Sequence, residues 1–265
     1  MPAKSSDSPL ILACDTTQGA CSAALYRETL TSEPSVLASE LLPMTKGHAE
    51  ALMPMLQRVC KTAGKSMREI DRLAVTNGPG TFTGVRVGLA AMRGLSLALA
   101  IPLKAYGTLE VMAQASRASG PLIVAVDARR SVFYAQSFDA QKTPLSPPQA
   151  LTGEQVLALV KDGDVTLQGS GLSLLMSAAS SRFSAENAPD YPQAEVLGAM
   201  AAADLEWPAY DALGAPPEPL YLRAPDATLP NPDKFPSRAI PSRAIPSRAI
   251  SSSAIPSRAE PSTET

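Results

Sequence analysis

Asn77-Gly-Pro-Gly80-Thr-Phe-Thr-Gly84-Val-Arg-Val-Gly88 is the most distinctive run of residue types in the chain. A glycine-rich turn feeding a helix aims successive backbone N–H groups at one point, which is one way to hold a phosphate. The block Gly78, Pro79, Gly80, Thr81, Phe82, Thr83 and Gly84 fits neither common phosphate pattern. The P-loop form needs a lysine, and the dinucleotide form needs a glycine where Thr83 stands. The other reading is a sharp turn into a helix whose Gly88 and Gly94 permit close packing. The residues leave both open.

Asp15 follows an apolar strand and precedes Thr16 and Thr17. A carboxylate and two hydroxyls at that place suit a metal–phosphate group; they equally suit a capped hairpin turn. Asp127, with Arg129 close behind, ends a second such strand and carries the same pair of readings. Gly169-Ser-Gly171 is a further turn after an apolar strand.

The scarce residues exclude more than these suggest. There is one histidine, His48, and there are three cysteines, Cys14, Cys21 and Cys60, with no Cys-x-x-Cys pair. A four-ligand zinc site or a disulfide framework cannot be built from that set. A helical metal pair with His48 would need a ligand three or four residues on, where Ala51 and Leu52 stand. Glu50 alone does not supply it. Cys–His or Ser–His catalysis would have to run through His48.

Elements must position these groups. The chain has 265 residues, 45% hydrophobic and 18% charged, with formal net charge −2. That balance argues against a general electrostatic binder of nucleic acid. No apolar run approaches the ~18–20 residues of a bilayer span, and residues 1–8 carry no secretory signal. A cytoplasmic protein without a membrane partner is expected. Residues 1–8 and 226–265 are expected to be disordered. The latter hold Pro-Ser-Arg-Ala-Ile repeats, in which a proline every fifth residue opposes helix and sheet. Arg238, Arg243, Arg248 and Arg258 could act there as a weak basic tether, or the repeats carry no role.

Residues 10–25 read as strand, polar turn and strand, and residues 122–137 repeat that plan. Two copies at half-chain spacing suggest a duplicated α/β domain. The intervening segments predict a strand over 36–42 and a helix over 48–63 capped by Thr45 and disturbed by Pro54. Next come a buried strand over 73–76, a helix over 84–100, a strand over 103–106 and a helix over 108–116 capped by Thr108. Thr152-Gly-Glu-Gln155 predicts a capping box for a helix ending near Lys161. A strand over 165–168 and helices from Leu172 and over 194–203 complete the pattern. The expected lobes are 9–107 and 108–225.

Cys14-Asp-Thr-Thr, His48-Ala-Glu, the 77–88 run, Val126-Asp-Ala-Arg and Pro219-Leu-Tyr-Leu-Arg223 together resemble the bacterial TsaB (YeaZ) family, in order over residues 10–225. The resemblance implies the duplicated two-lobe fold of actin, sugar kinases and the seventy-kilodalton chaperones, a ribonuclease H-like α/β architecture. It implies a part in making threonylcarbamoyladenosine beside the anticodon of tRNAs that read codons beginning with A. The chain would be a non-catalytic activator of the TsaD transferase, with the ATPase TsaE as third partner and tRNA met through the complex. No cofactor would be bound by this chain; ATP and the metal of TsaD would belong to the complex. Asp15, Thr16, Thr17, Asp127, Gly169 and Gly171 would mark a degenerate nucleotide cleft. The two N-terminal-lobe helices would meet TsaD, with His48, Met53, Leu56, Gly84, Gly88 and Met92 as interface candidates. Alone, the same face could pair with itself in a homodimer. Two other activities compete: an actin-fold ATP-dependent kinase or acyltransferase acting alone, and a metallopeptidase, which the missing metal pair disfavours.

Overall fold

The computed structural model describes residues 9–28, 35–186 and 188–223; the N-terminal extension 1–8 and the repeats of 226–265 lie outside the described residues. The first half runs β1 (Leu10–Asp15), β2 (Ala20–Arg27), β3 (Ser35–Pro43), α1 (His48–Thr62), β4 (Arg72–Thr76), α2 (Phe82–Leu99), β5 (Leu103–Tyr106) and α3 (Thr108–Gln114). The second runs β6 (Leu122–Asp127), β7 (Val132–Phe138), β8 (Gln149–Thr152), α4 (Gly153–Leu157), β9 (Val165–Gln168), α5 (Leu172–Met176), β10 (Phe183–Ala185) and α6 (Ala194–Ala203).

The two five-stranded sheets have the same topology, β3-β2-β1-β4-β5 and β8-β7-β6-β9-β10. In each, the first three strands are antiparallel and the last two run parallel to the first. The hairpin echo around Asp15 and Asp127 is therefore a duplication of the whole β-β-β-α-β-α-β-α plan.

Every residue of β1 is buried because both faces of its sheet are covered, as a central strand requires. Leu10, Leu12 and Cys14 point into the core under α1 and α2, while Ile11 and Ala13 point the other way. That opposite face is closed by α6, through Ala194, Leu197 and Ala201. Conversely, Leu109, Met112 and Ala113 of α3 pack on Leu122, Val124, Val126 and Phe138 of the second sheet. The last helix of each half thus covers the sheet of the other. The boundary expected at Gly107 leaves α3 with the second sheet it packs on, while α6 crosses back to the first.

Several local expectations change. Gly47, with φ +86°, precedes α1 in place of a Thr45 cap. α1 continues through Pro54, which is exposed, as is Glu50, whose carbonyl loses its partner. Gly107 starts α3, which frees the Thr108 hydroxyl for another bond. The Thr152–Gln155 capping box forms, but α4 stops at Leu157. α2 is long and apolar enough to cross a membrane by length and composition, contrary to expectation. Its buried residues Val85, Leu89 and Met92 nevertheless belong to the core of the first half.

Candidate functional site

The β1–β2 turn is the centre of the first half. Asp15 lies at the end of β1 and is fully buried. Its Oδ1 accepts from the Thr17 amide (3.2 Å), the Thr17 hydroxyl (2.6 Å) and the Thr76 hydroxyl. Thr108 Oγ1 donates to Thr17 Oγ1 at 3.2 Å, tying the start of α3 to the same cluster. Oδ2 of Asp15 is buried without a partner among the described residues. Burial pushes this carboxyl up to about 6, against the pull of the Thr17 and Thr76 hydrogen bonds and of nearby His48.

The glycine-rich run folds over this turn. Thr81 N donates to the Thr17 carbonyl (2.8 Å), Gln18 Nε2 to the Pro79 carbonyl (3.2 Å), and Thr16 Oγ1 to the Gly84 carbonyl (2.7 Å). Thr81 caps α2 by accepting from Gly84 N at 3.2 Å. A Cβ on Gly80 would lie 2.4 Å from the Thr17 carbonyl oxygen, and one on Gly84 would lie 2.0 Å from that of Thr16. Gly78 has φ +112° and faces the Leu220 carbonyl. The glycines therefore serve the close approach of the Asp15–Gln18 turn and of residues 219–221, and the Thr81 amide that could face an anion is spent on Thr17. Of the two readings of this run, the geometry supports the packed turn. Phe82 and Thr83 are exposed beside it.

The second hairpin is built differently. Asp127 is exposed and accepts from the Arg129 amide at 2.7 Å, while its own amide donates to Ser170 Oγ at 3.1 Å. Arg129, Arg130 and Ser131 all have left-handed φ, 66°, 54° and 59°, which is strained for side-chain-bearing residues. Gly169 (φ +109°) and Gly171 press on β6 and β7, where a Cβ would meet the Ala125 carbonyl of the one and the Phe133 ring of the other. The two groups expected to share a nucleotide cleft are thus different in kind: one is sealed inside the first half, the other lies open on the second.

His48 Nε2 donates to the Gln18 carbonyl at 3.2 Å, and Leu52, one turn on, is buried in the core. Among the described residues no cluster of three His, Cys, Asp or Glu side chains is placed to hold a metal. Burial pushes the Cys14 thiol well up, Cys21 to about 12 and Cys60 to about 11, so none is a nucleophile at neutral pH.

The expected interface residues divide sharply. Met53 is exposed, whereas Leu56 and Met92 are fully buried in the first core and cannot touch a partner. Gly84 and Gly88 face Thr16 rather than solvent. Beyond its first turn, what remains exposed on α2 is Arg86, Ala90, Gly94, Leu97 and Ala98, while Val87 and Ala91 are half-buried against the first core. At Gly94 a Cβ would meet nothing within 4 Å.

Two features were not read from the sequence. One is an open groove of about 960 Å³ bounded by Lys104, Tyr106, Glu110, Asp204 and Leu220, where burial raises the Glu110 carboxyl. The other is the path of residues 204–221 beside α2. Leu220 N donates to the Asn77 carbonyl (2.8 Å), and Arg86 Nε donates to the Tyr221 hydroxyl (2.7 Å). These partners are more than a hundred residues apart, so no local pattern announces them. The Pro219–Arg223 segment and the glycine-rich run were separate signals that the fold brings into contact.

The profile of a family described as "TsaD: tRNA N6-adenosine threonylcarbamoyltransferase" matches residues 36–179. The chain is 38% identical over 127 residues to the Escherichia coli K12 tRNA threonylcarbamoyladenosine biosynthesis protein TsaB, covering 47% of this chain and 52% of that protein. It is 31% identical over 157 residues to the protein of the same name from Buchnera aphidicola, covering 58% and 70%. The match thus spans about half the length of the first relative and over two thirds of the second. Among solved structures, YeaZ from Pseudomonas aeruginosa superposes with a TM-score of 0.68 and 28% identity, over 81% of this chain and all of that one.

Proposed function

The chain belongs to the TsaB (YeaZ) family, and from that premise we propose that it serves threonylcarbamoyladenosine biosynthesis in the cytoplasm as a non-catalytic subunit that binds and activates the TsaD transferase. The observation that carries this reading is a sealed site beside an open helix face. Asp15, which would hold a metal–phosphate in an active relative, is buried beneath the 77–84 run and bonded to three neighbouring groups. A group without access to substrate does no chemistry on it. Meanwhile α2 turns a stripe of small apolar side chains outward.

Gly94 makes the helix face informative. A glycine in mid-helix destabilises by roughly 0.5–1 kcal/mol relative to alanine. At Gly84 and Gly88, also in α2, close contact with Thr16 offsets that cost; at Gly94 no neighbour among the described residues does. The missing neighbour is best supplied by another protein whose backbone comes close, which is how stripes of small residues let helices approach. Met53 on α1 lies exposed on the other helix of the pair and offers an adaptable apolar contact. TsaE, tRNA and ATP would then meet the complex, not this chain alone.

The test is a reconstitution of TsaD, TsaE, tRNA, threonylcarbamoyl adenylate and ATP, with and without this chain, read as modified nucleoside by mass spectrometry. Product should depend on the chain and survive Asp15→Asn and His48→Ala. It should be lost, together with co-elution with TsaD, in Gly94→Leu, whose folding is checked by its thermal melt. Loss of product in Asp15→Asn or His48→Ala variants that still bind TsaD would show a working cleft, as a lone ATP-dependent transferase requires, and defeat the proposal.

A further inference from the structure

Four arginines that are remote in sequence share one patch of surface. Near the start of α2, Arg86 Cζ lies 3.6 Å from the ring centroid of Phe82 and 5.7 Å from that of Tyr221. The two rings pack on each other with centroids 5.3 Å apart. Two residues beyond Tyr221, Arg223 Nη1 donates to the Ala128 carbonyl at 3.2 Å. That bond sets the β6–β7 turn, with Arg129 and Arg130, beside the end of residues 219–223. Phe82, Arg86, Arg129, Arg130 and Tyr221 are all exposed.

The charge of this patch is opposite to that of the whole chain. Residues 79–86, 127–131 and 218–223 carry four arginines against two acids, Asp127 and Glu218, in a chain of net charge −2. Oδ1 of Asp127 is already taken by the Arg129 amide. Arg86 donates through Nε to the Tyr221 hydroxyl, and neither Arg86 nor Arg129 joins an ion pair among the described residues. The backbone supplies an independent observation. Arg129, Arg130 and Ser131 adopt a left-handed φ that tight turns usually assign to Gly, Asn or Asp. Strain of this kind persists where the side chains it carries are used.

We propose that this patch binds a loop of RNA, with phosphates on Arg86, Arg129 and Arg130 and an unpaired base stacked against the group of Phe82, Arg86 and Tyr221. Guanidinium groups spread along an exposed surface suit a chain of phosphates better than a single one. Aromatic rings beside them suit unpaired bases, which a duplex does not offer and an RNA loop does. The inference rests on the function proposed above, which brings tRNA to the complex, and it assigns this chain a share of that contact. Gly94 lies about two turns further along α2, and none of the patch residues belongs to the sealed Asp15 cluster.

The complex of the full chain with TsaD is titrated into a fluorescent, unmodified tRNA transcript over a series of salt concentrations. Every variant is checked for its fold by thermal melt and for co-elution with TsaD. Replacing Arg86, Arg129 and Arg130 together by Gln should weaken binding about 10–100-fold. It should also flatten the slope of log K against log[salt] by about 2, three single-strand phosphates at about 0.7 each. Lysine at the same three positions should keep the slope. Lys161→Gln, which removes an exposed charge elsewhere, should change neither quantity. Phe82→Leu, which keeps apolar bulk without the ring, should weaken binding at least about fivefold and leave the slope alone. Unchanged affinity in a triple variant that still co-elutes with TsaD would overturn the inference and leave the proposed function standing. Loss of co-elution by that variant would assign the arginines to the protein partner and overturn it too. Unchanged affinity in Phe82→Leu would reduce the patch to a general polyanion contact and overturn the RNA assignment. A parent chain that fails to co-elute with TsaD would overturn both readings.

Discussion

Asp15 is an expensive residue to keep. It has no solvent exposure, one oxygen that accepts three hydrogen bonds and another that accepts none among the described residues. Burial dominates and raises its carboxyl from 3.8 to about 6. The folded protein therefore holds the proton more tightly than the unfolded chain does. Stability from this group is full below about pH 3.8, declines as pH rises to about 6, and is constant above. Two units correspond to about 3 kcal/mol. Asp15→Asn keeps the acceptor for Thr17 and Thr76 and removes the titration. Measured by urea unfolding, the stability difference between the variant and the parent should move in favour of asparagine by up to about 3 kcal/mol between pH 4 and pH 7. A difference that stays constant across that range would show that the carboxyl is not held in the buried state described.

At the scale of the element, α2 places two glycines in opposite circumstances. On Gly84 a Cβ would strike the Thr16 carbonyl oxygen at 2.0 Å, so Gly84→Ala must push the β1–β2 turn away and should cost about 1–3 kcal/mol. On Gly94 it would meet nothing within 4 Å, so Gly94→Ala should stabilise the isolated chain by about 0.5–1 kcal/mol. Thermal melts of the two variants should shift in opposite directions; a stabilised Gly84→Ala would mean the turn is not packed as seen. The contrast also marks what sequence reading could reach. Helix and strand periodicity located α2 and β4 to within two residues, and the strand–turn–strand echo of residues 10–25 and 122–137 found the duplication. The same periodicity could not separate Leu56 and Met92 from Met53, because which side of a helix faces the core depends on what packs against it. Nor could it decide between a phosphate cradle and a packed turn at 78–84. That choice depends on Thr16, Thr17 and Leu220, which are remote in sequence.

The whole molecule is held together by an exchange. α3, from the first half, completes the core of the second sheet, and α6, from the second half, completes that of the first. Leu197 sits in the middle of this arrangement, fully buried against a face of the sheet formed by residues nearly two hundred positions earlier. Two lobes that merely followed each other along the chain would unfold separately, each losing its own helices. Lobes that each lend a helix to the other should unfold in one transition, because neither core is complete alone. Leu197→Ala removes apolar volume from the first core although it lies in the second half, and should destabilise by about 2–5 kcal/mol. Followed by hydrogen exchange, the amides of β1 and β2 should lose protection in this variant together with those of α6. Loss confined to the second half, or two resolved unfolding transitions in which only the later residues respond, would show that the exchanged helices are decoration and the lobes are separate. One shared transition would place the exposed face of α2 and the hairpin at Asp127 in one cooperative unit.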